Sequence, residues 1–135
     1  MKTLTTVVIL ITLVFLQSPI YGQWTKHIID PNVAYTCFVD VYDIGNDGDM
    51  DVFVAEYGAN TVLWYENNNM TWIKHTIDND AVDVVGLDLL DVNEDGNMDV
   101  TVACWSTDIV AWYENDGADS INWTKHIIDN TFDGA

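Results

Sequence analysis

The 135-residue chain has no arginine and only four lysines, set against 22 carboxylates. Its formal net charge is −18 at pH 7. A surface of that sign repels phosphate, which excludes nucleic acid and anionic lipid as partners. There are only two cysteines, Cys37 and Cys104. Two cysteines 67 residues apart make no disulfide framework. They read as buried free thiols, and a Cys37–Cys104 bridge is the alternative. Outside the first 22 residues no segment sustains a 3.6-residue apolar period, which excludes a helical bundle. The longest apolar run, Leu4 to Leu16, falls short of the roughly 20 residues of a membrane span. There is no P-loop, no dinucleotide fingerprint and no nucleophile set beside a base. Ser106 and Ser120 fall in expected turns, and Ser18 falls in the leader described next.

What the chain does have begins with that leader. Lys2 supplies a positive start, Leu4 to Leu16 an uncharged apolar core, and Ser18, Pro19 and Gly22 a helix-breaking exit with a small residue at its end. This layout predicts a secretory signal peptide over residues 1–22, cleaved near Gly22–Gln23, with no membrane span afterwards. The chain is 49% apolar and rich in Trp and Tyr, so residues 23–135 do not read as a disordered acidic tail. An acidic chain that folds must solvate, hydrogen-bond or neutralise its carboxylates. With so few internal cations, bound metal is the expected neutraliser.

The sequence repeats. Trp24-Thr-Lys-His-Ile-Ile-Asp30 recurs as Trp72-Ile-Lys-His-Thr-Ile-Asp78 and as Trp123-Thr-Lys-His-Ile-Ile-Asp129. Trp64-Tyr-Glu-Asn67 recurs as Trp112-Tyr-Glu-Asn115. The acidic run Asp43 to Asp51 recurs as Asp91 to Asp99. The offset is 48 throughout, except at the last Trp, where three extra residues fall within 116–122. The repeats run over about 31–78 and 79–129, with the start of a third at 130–135.

Each repeat reads as four strands: Phe38 to Tyr42 and Gly86 to Leu90 entering the acidic loops, Val52 to Glu56 and Val100 to Cys104 leaving them, then Thr61 to Glu66 and Ile109 to Glu114, and last the Trp-x-Lys-His segments. The copy at Trp24 reads as an extra leading strand. The expected fold is all-β, with tandem four-stranded antiparallel blades of a partial β-propeller and calcium-binding hairpin loops. Two blades leave sheet edges and faces bare, so further repeats or further chains are expected to complete the ring.

The acidic loops carry the chemistry. In the second, positions 1, 3, 5, 7 and 9 are Asp91, Asn93, Asp95, Asn97 and Asp99, with Gly96 at position 6. Alternating oxygen side chains on a tight loop can surround one hard cation, and an oxygen-only set favours Ca²⁺ over Zn²⁺ or Cu²⁺. The first loop offers Asp43, Asp47, Asp49 and Asp51, but its position 3 is Gly45. It lacks one oxygen ligand and should bind more weakly. The start resembles an EF-hand loop, yet position 12 is Val54 or Val102 where an EF-hand needs Glu, and the flanks are strands. Ordinary Asp-Gly hairpin turns with solvated carboxylates are the simpler alternative.

Other repeated residues read structurally. His27, His75 and His126 recur once per repeat and are expected to pack or hydrogen-bond, not to converge on a metal. Trp24, Trp64, Trp72, Trp112 and Trp123 are expected in packing between blades. Trp105, at the repeat position of Tyr57, is the better surface contact. Asp40 and Asp88 read equally well as groups behind the metal ligands or as solvated strand residues. Asn69-Met-Thr71 and Asn122-Trp-Thr124 are glycosylation sequons.

The loop Asp91 to Asp99, flanked by short apolar strands, resembles the FG-GAP/VCBS repeats of integrin-α-like β-propellers. The Trp-Tyr-Glu-Asn and Trp-x-Lys-His-x-Ile segments look like a variant found in large secreted repeat proteins. The resemblance implies one Ca²⁺ per loop, from which Gly45 departs. It implies a non-catalytic extracellular module for recognition or adhesion, with an extracellular protein or carbohydrate as ligand. A fragment of a polysaccharide-active, lyase-like enzyme and a purely structural truncated product are the alternatives.

Overall fold

The computed structural model describes residues 24–118 and 120–131. The leader expected over 1–22, and residues 132–135 of the third copy, lie outside them. Among the described residues the fold is all-β, with one 3-10 turn at Tyr57–Ala59. Two four-stranded antiparallel sheets follow one another along the chain. The first is ordered β1 (Thr36–Tyr42), β2 (Asp51–Glu56), β3 (Thr61–Asn68) and β4 (Thr71–Asp78). The second is ordered β5 (Val84–Leu90), β6 (Asp99–Cys104), β7 (Ile109–Asn115) and β8 (Trp123–Asp129). Short connections allow nothing but neighbouring antiparallel pairs, so each repeat folds as a meander. The repeat extends to ladder irregularities, which fall between Thr36 and Phe38 in one sheet and between Val84 and Gly86 in the other.

The two sheets pack face to face through β1 and β2 against β5. One core cluster spans this junction: Phe53, Ala55, Val62 and Trp64 from the first sheet meet Leu87, Val100, Val102, Ala111 and Tyr113 from the second. Fully burying a side chain such as Phe53 contributes about 1.5–3 kcal/mol. The outer face of the first sheet holds a smaller cluster of Val54, Leu63 and Tyr65, packed by Val33, Val52 and Trp72. The apolar side chains of β2 and β3 therefore divide between two covered faces. That is why both strands read as nearly continuous apolar runs instead of alternating.

One expected strand is absent. Trp24 to Asp30 has the sequence of a fourth strand but lies as an extended, mostly exposed segment beside the first sheet. The reason is pairing. β4 and β8 are strands because β3 and β7 lie beside them, and no described strand lies beside residues 24–30. Trp24 is accordingly fully exposed, not packed between sheets. The tryptophans Trp64 and Trp123 do meet across the junction, edge to face with ring centres 6.4 Å apart. Trp105 is exposed, as its reading as a surface residue requires, and so is Tyr57 at the same repeat position. The cysteines are both free, but only Cys104 is buried. Cys37 is exposed, and its thiol donates to the Val84 carbonyl oxygen at 3.0 Å.

Candidate functional site

Both acidic runs are hairpin loops, one joining β1 to β2 and the other β5 to β6. They share one backbone path. Position 4 is left-handed in each, with φ of 53° at Asn46 and 61° at Glu94. Position 6 has φ of 93° at Gly48 and 92° at Gly96, where any side chain would be strained. The turn that the glycines permit wraps the loop around the carboxylate at position 1. Asp43 accepts from the Asp47 and Gly48 amides at 3.0 Å each, and Asp91 accepts from the Asp95 and Gly96 amides at 3.0 and 2.9 Å. Position 5 caps position 7 by the same device, Asp47 accepting from the Asp49 amide and Asp95 from that of Asn97.

Position 9 is the buried end of each loop. Asp51 and Asp99 are 3% and 0% exposed, although a carboxylate is seldom fully buried. Each spends both oxygens on backbone. Asp51 accepts from the Ile44 and Asn67 amides at 2.9 and 2.8 Å, and Asp99 from the Val92 and Asn115 amides at 3.0 and 2.9 Å. Burial pushes both carboxyls above the usual aspartate value against these hydrogen bonds. The charges of Asp47 and Asp43, or of Asp95 and Asp91, push in the same direction as burial. Three carboxylates of each loop thus lie within one another's field, and no Lys or His ion pair among the described residues reaches them.

The two loops differ as their sequences do. Asn93 at position 3 donates to Asp95 and to Glu114 and accepts from the Asp95 amide. Gly45 has no counterpart to these bonds. Asp49, the fourth acidic residue of the first loop, accepts from the Asn69 amide at 2.8 Å, while Asn97 lies under Gly117 of the second repeat's long loop. Among the described residues no three acidic, His or Cys side chains converge on one point, because the carboxylates turn toward amides of their own loop. Asp40 and Asp88 accept from the amides of the residues that follow them and take no part in the loops.

What the sequence did not reveal is the work of the Trp-Tyr-Glu-Asn motif. Its Trp and Glu share one histidine, its Asn holds the loop, and its Tyr reaches back along the chain. Trp64 and Trp112 stack on His75 and His126, with ring centres 4.2 and 4.5 Å apart. Glu66 and Glu114 bind the same histidines at 2.9 and 2.7 Å. Asn67 and Asn115 hold the carboxylate at position 9 through their amides, and their side chains donate to the Met50 and Met98 carbonyl oxygens. Tyr65 and Tyr113 reach backward, donating to Asp30 and Asp78 at the end of the preceding Trp-x-Lys-His copy. Lys74 and Lys125 bind those same two aspartates at 3.2 and 2.7 Å and lie over the tyrosine rings. The histidines at 75 and 126 are packing residues, as expected, whereas His27 is exposed on the unpaired segment. A regular pairing of Asp with Tyr and Lys one repeat later would have been visible only to a reading that already stacked the repeats.

Residues 43–102 match the family model described as FG-GAP-like repeat. This segment is an FG-GAP-like repeat. The match opens on Asp43, position 1 of the first loop, and closes on Val102, three residues past Asp99, so both acidic loops fall inside it. No curated protein and no solved structure matches the chain. Among the described residues no helix is long and apolar enough to cross a membrane.

Proposed function

We propose that the chain is a secreted, calcium-binding FG-GAP-like module of a β-propeller that serves extracellular recognition or adhesion and does no catalysis. The observation that carries this reading is the acidic hairpin loop, formed twice on one backbone path, with a buried Asp at its base and further carboxylates in its field. The donor set is all oxygen, which suits a hard cation of flexible coordination. In the second loop Asp91, Asn93, Asp95, Asn97 and Asp99 would hold the ion; in the first, Asp43, Asp47, Asp49 and Asp51. Ca²⁺ there neutralises mutual repulsion that the protein's own cations leave standing, and so clamps each hairpin. The partner recognised is an extracellular protein or carbohydrate presented to the assembled repeats.

Thermal unfolding of the protein in Ca²⁺ and in chelator tests this. A cation that binds only the native state raises the midpoint with its concentration, by RT ln(1 + [L]/Kd) in free energy. Asp95→Ala should reduce the shift more than Asp47→Ala, since the Gly45 loop contributes less from the start. A midpoint that ignores Ca²⁺ across a wide concentration range would overturn the calcium reading.

A further inference from the structure

Two departures from the repeat meet in one cleft. Gly45 stands where the second loop has Asn93, and the connection 116–122 stands where the first repeat turns through Asn69 and Met70 alone. Ser120 and Ile121 of that longer connection, with Gly45, Trp64, Glu66 and His75 of the first repeat, line a cleft of about 240 Å³. An adjoining cleft of about 260 Å³ shares Gly45 and Ile121 and adds Asn46 and Asn97 to its walls. Each is smaller than the roughly 300–1,000 Å³ of sites for drug-sized ligands, so the occupant is small. A Cβ built at Gly45 meets nothing within 4 Å, and the glycine thereby leaves this space open.

The cleft offers a donor and an acceptor that nothing in the protein satisfies. Trp64 and Glu66 alternate along β3 and so lie on one face of the sheet. Trp64 is 6% exposed, and its buried indole N–H has no hydrogen-bond partner. An unmet buried donor is costly and rare in a folded protein. Phe53 and His75, its ladder neighbours on either side, stack against the indole. The ring therefore meets the cleft by its edge, the direction in which an indole N–H points. Glu66 binds His75 through Oε2, and among the described residues no donor reaches its Oε1. The second repeat shows what is missing: there Asn93 donates to Glu114 Oε1 at 3.2 Å. Gly45 deprives Glu66 of the same partner.

The chemistry of the walls selects the occupant. Asp47, Asp51 and Glu66 line the cleft with no lysine among them, which excludes an anion. A cation would leave the indole N–H unmet. A hydroxyl donates and accepts through one oxygen and so answers both groups. We infer that this cleft binds an uncharged sugar ring. One hydroxyl donates to Glu66 Oε1 and accepts from the Trp64 N–H, others reach Ser120 and the carboxamides of Asn46 and Asn97, and Ile121 packs on the ring's C–H face. The second repeat has no such opening at its own loop, because Asn93 occupies the place of the sugar hydroxyl on Glu114. The inference rests on the recognition role proposed above and names its ligand class; it does not require bound calcium.

The test titrates the full chain, in chelator, with the methyl glycosides of glucose, galactose and mannose, and with methyl glucuronide as the anionic comparison. At least one neutral glycoside should bind with a Kd on the order of 1–10 mM and shift the indole N–H resonance of Trp64 as it saturates. The glucuronide should bind at least about tenfold more weakly. Gly45→Asn sets a carboxamide where Asn93 stands in the second loop, and should raise the glycoside Kd at least about tenfold while the fold is kept. No binding of any neutral glycoside, binding that leaves the Trp64 resonance unmoved, or binding that Gly45→Asn does not weaken would each overturn the inference. So would preference for N-methylacetamide over every glycoside, which would assign the cleft to a peptide. Thermal midpoints in Ca²⁺, measured on the same preparations, tell a failure of the cleft apart from a failure of the calcium module.

Discussion

The Tyr113 hydroxyl donates to Asp78 Oδ2 at 2.6 Å, tying the middle of β7 to the last residue of β4. The bond joins the aromatic motif of one repeat to the Trp-x-Lys-His copy of the repeat before it. Tyr113 is 1% exposed, and Lys125 closes the arrangement by binding the same oxygen. The inter-repeat junction is thus more than apolar burial. An oriented polar latch fixes how one sheet sits on the next.

Tyr113→Phe should separate the latch from the packing, because the ring stays and only the hydroxyl goes. A hydrogen bond to a charged group contributes about 1.5–3 kcal/mol. We expect a loss at the lower end of that range in urea unfolding, since Lys125 and the Asp80 amide still serve Asp78. Tyr65→Phe should cost less, because its partner Asp30 lies on a segment with no strand beside it. Equal losses at the two tyrosines would contradict the difference in how their partners are held.

The loop carboxylates should divide into two classes in chelator. Asp99→Ala leaves the Val92 and Asn115 amides without their acceptor, the second of them buried. In chelator it should destabilise by on the order of 3 kcal/mol, as a buried donor left unsatisfied costs about 1–3 kcal/mol. Asp95→Ala removes an exposed cap on the Asn97 amide. In chelator it should move stability by less than about 1 kcal/mol and show its effect only when Ca²⁺ is added.

Stability in chelator should pass through a maximum in mildly acid solution. The Asn32 amide, and then the Tyr65 hydroxyl, hold Asp30 at about 2 instead of 3.8. Burial would raise Asp78, but Lys125 and Tyr113 outweigh it and hold the carboxyl below its ordinary value. Both are lowered on folding, so their contribution is complete above 3.8 and is lost as pH falls through the folded values. Asp51 and Asp99 are raised by burial, and their contribution has the opposite sign. It is complete below 3.8 and declines as pH rises through their raised values. Thermal midpoints measured from about pH 7 down to about pH 2 should rise and then fall, with the peak near 3.8. Asp78→Asn should flatten the acid limb, and Asp99→Asn the neutral one.

The two sheets and their hairpin loops were legible because they depend on neighbours in sequence. Short runs of Val, Thr, Trp and Tyr between turns rich in Asp and Gly leave the chain little choice but antiparallel meanders. Two features needed contacts across repeats. Tyr65 lies beside its ladder partner Lys74, but it meets Asp30 only where residues 24–30 run along the first sheet, so nothing near Tyr65 in the sequence announces that bond. The segment 24–30 has strand composition, but a strand needs a ladder, and composition does not supply one. The extra loop at 116–122 is a third case. It read as a mere insertion, yet Ile121 packs into the core and lines a cleft with Trp64 and Gly45 of the first repeat.

Gly45 allows the sharpest test of the loop chemistry, because the first loop can be remade as the second. A Cβ built at Gly45 meets nothing within 4 Å, and its φ lies outside the left-handed region. Gly45→Asn should therefore be accepted without strain. Asn93, its counterpart, accepts from the Asp95 amide, so the single oxygen of the introduced carboxamide would be held at the loop by the Asp47 amide in the same way. In chelator the substitution should change stability by no more than about 1 kcal/mol, with a gain expected from lost freedom of the unfolded chain. In Ca²⁺ the midpoint shift should increase, and calorimetric titration should show the two sites moving toward equal affinity. If Gly45→Asn leaves the calcium response as it was while Asp95→Ala diminishes it, position 3 contributes no ligand and the inequality of the loops has another origin.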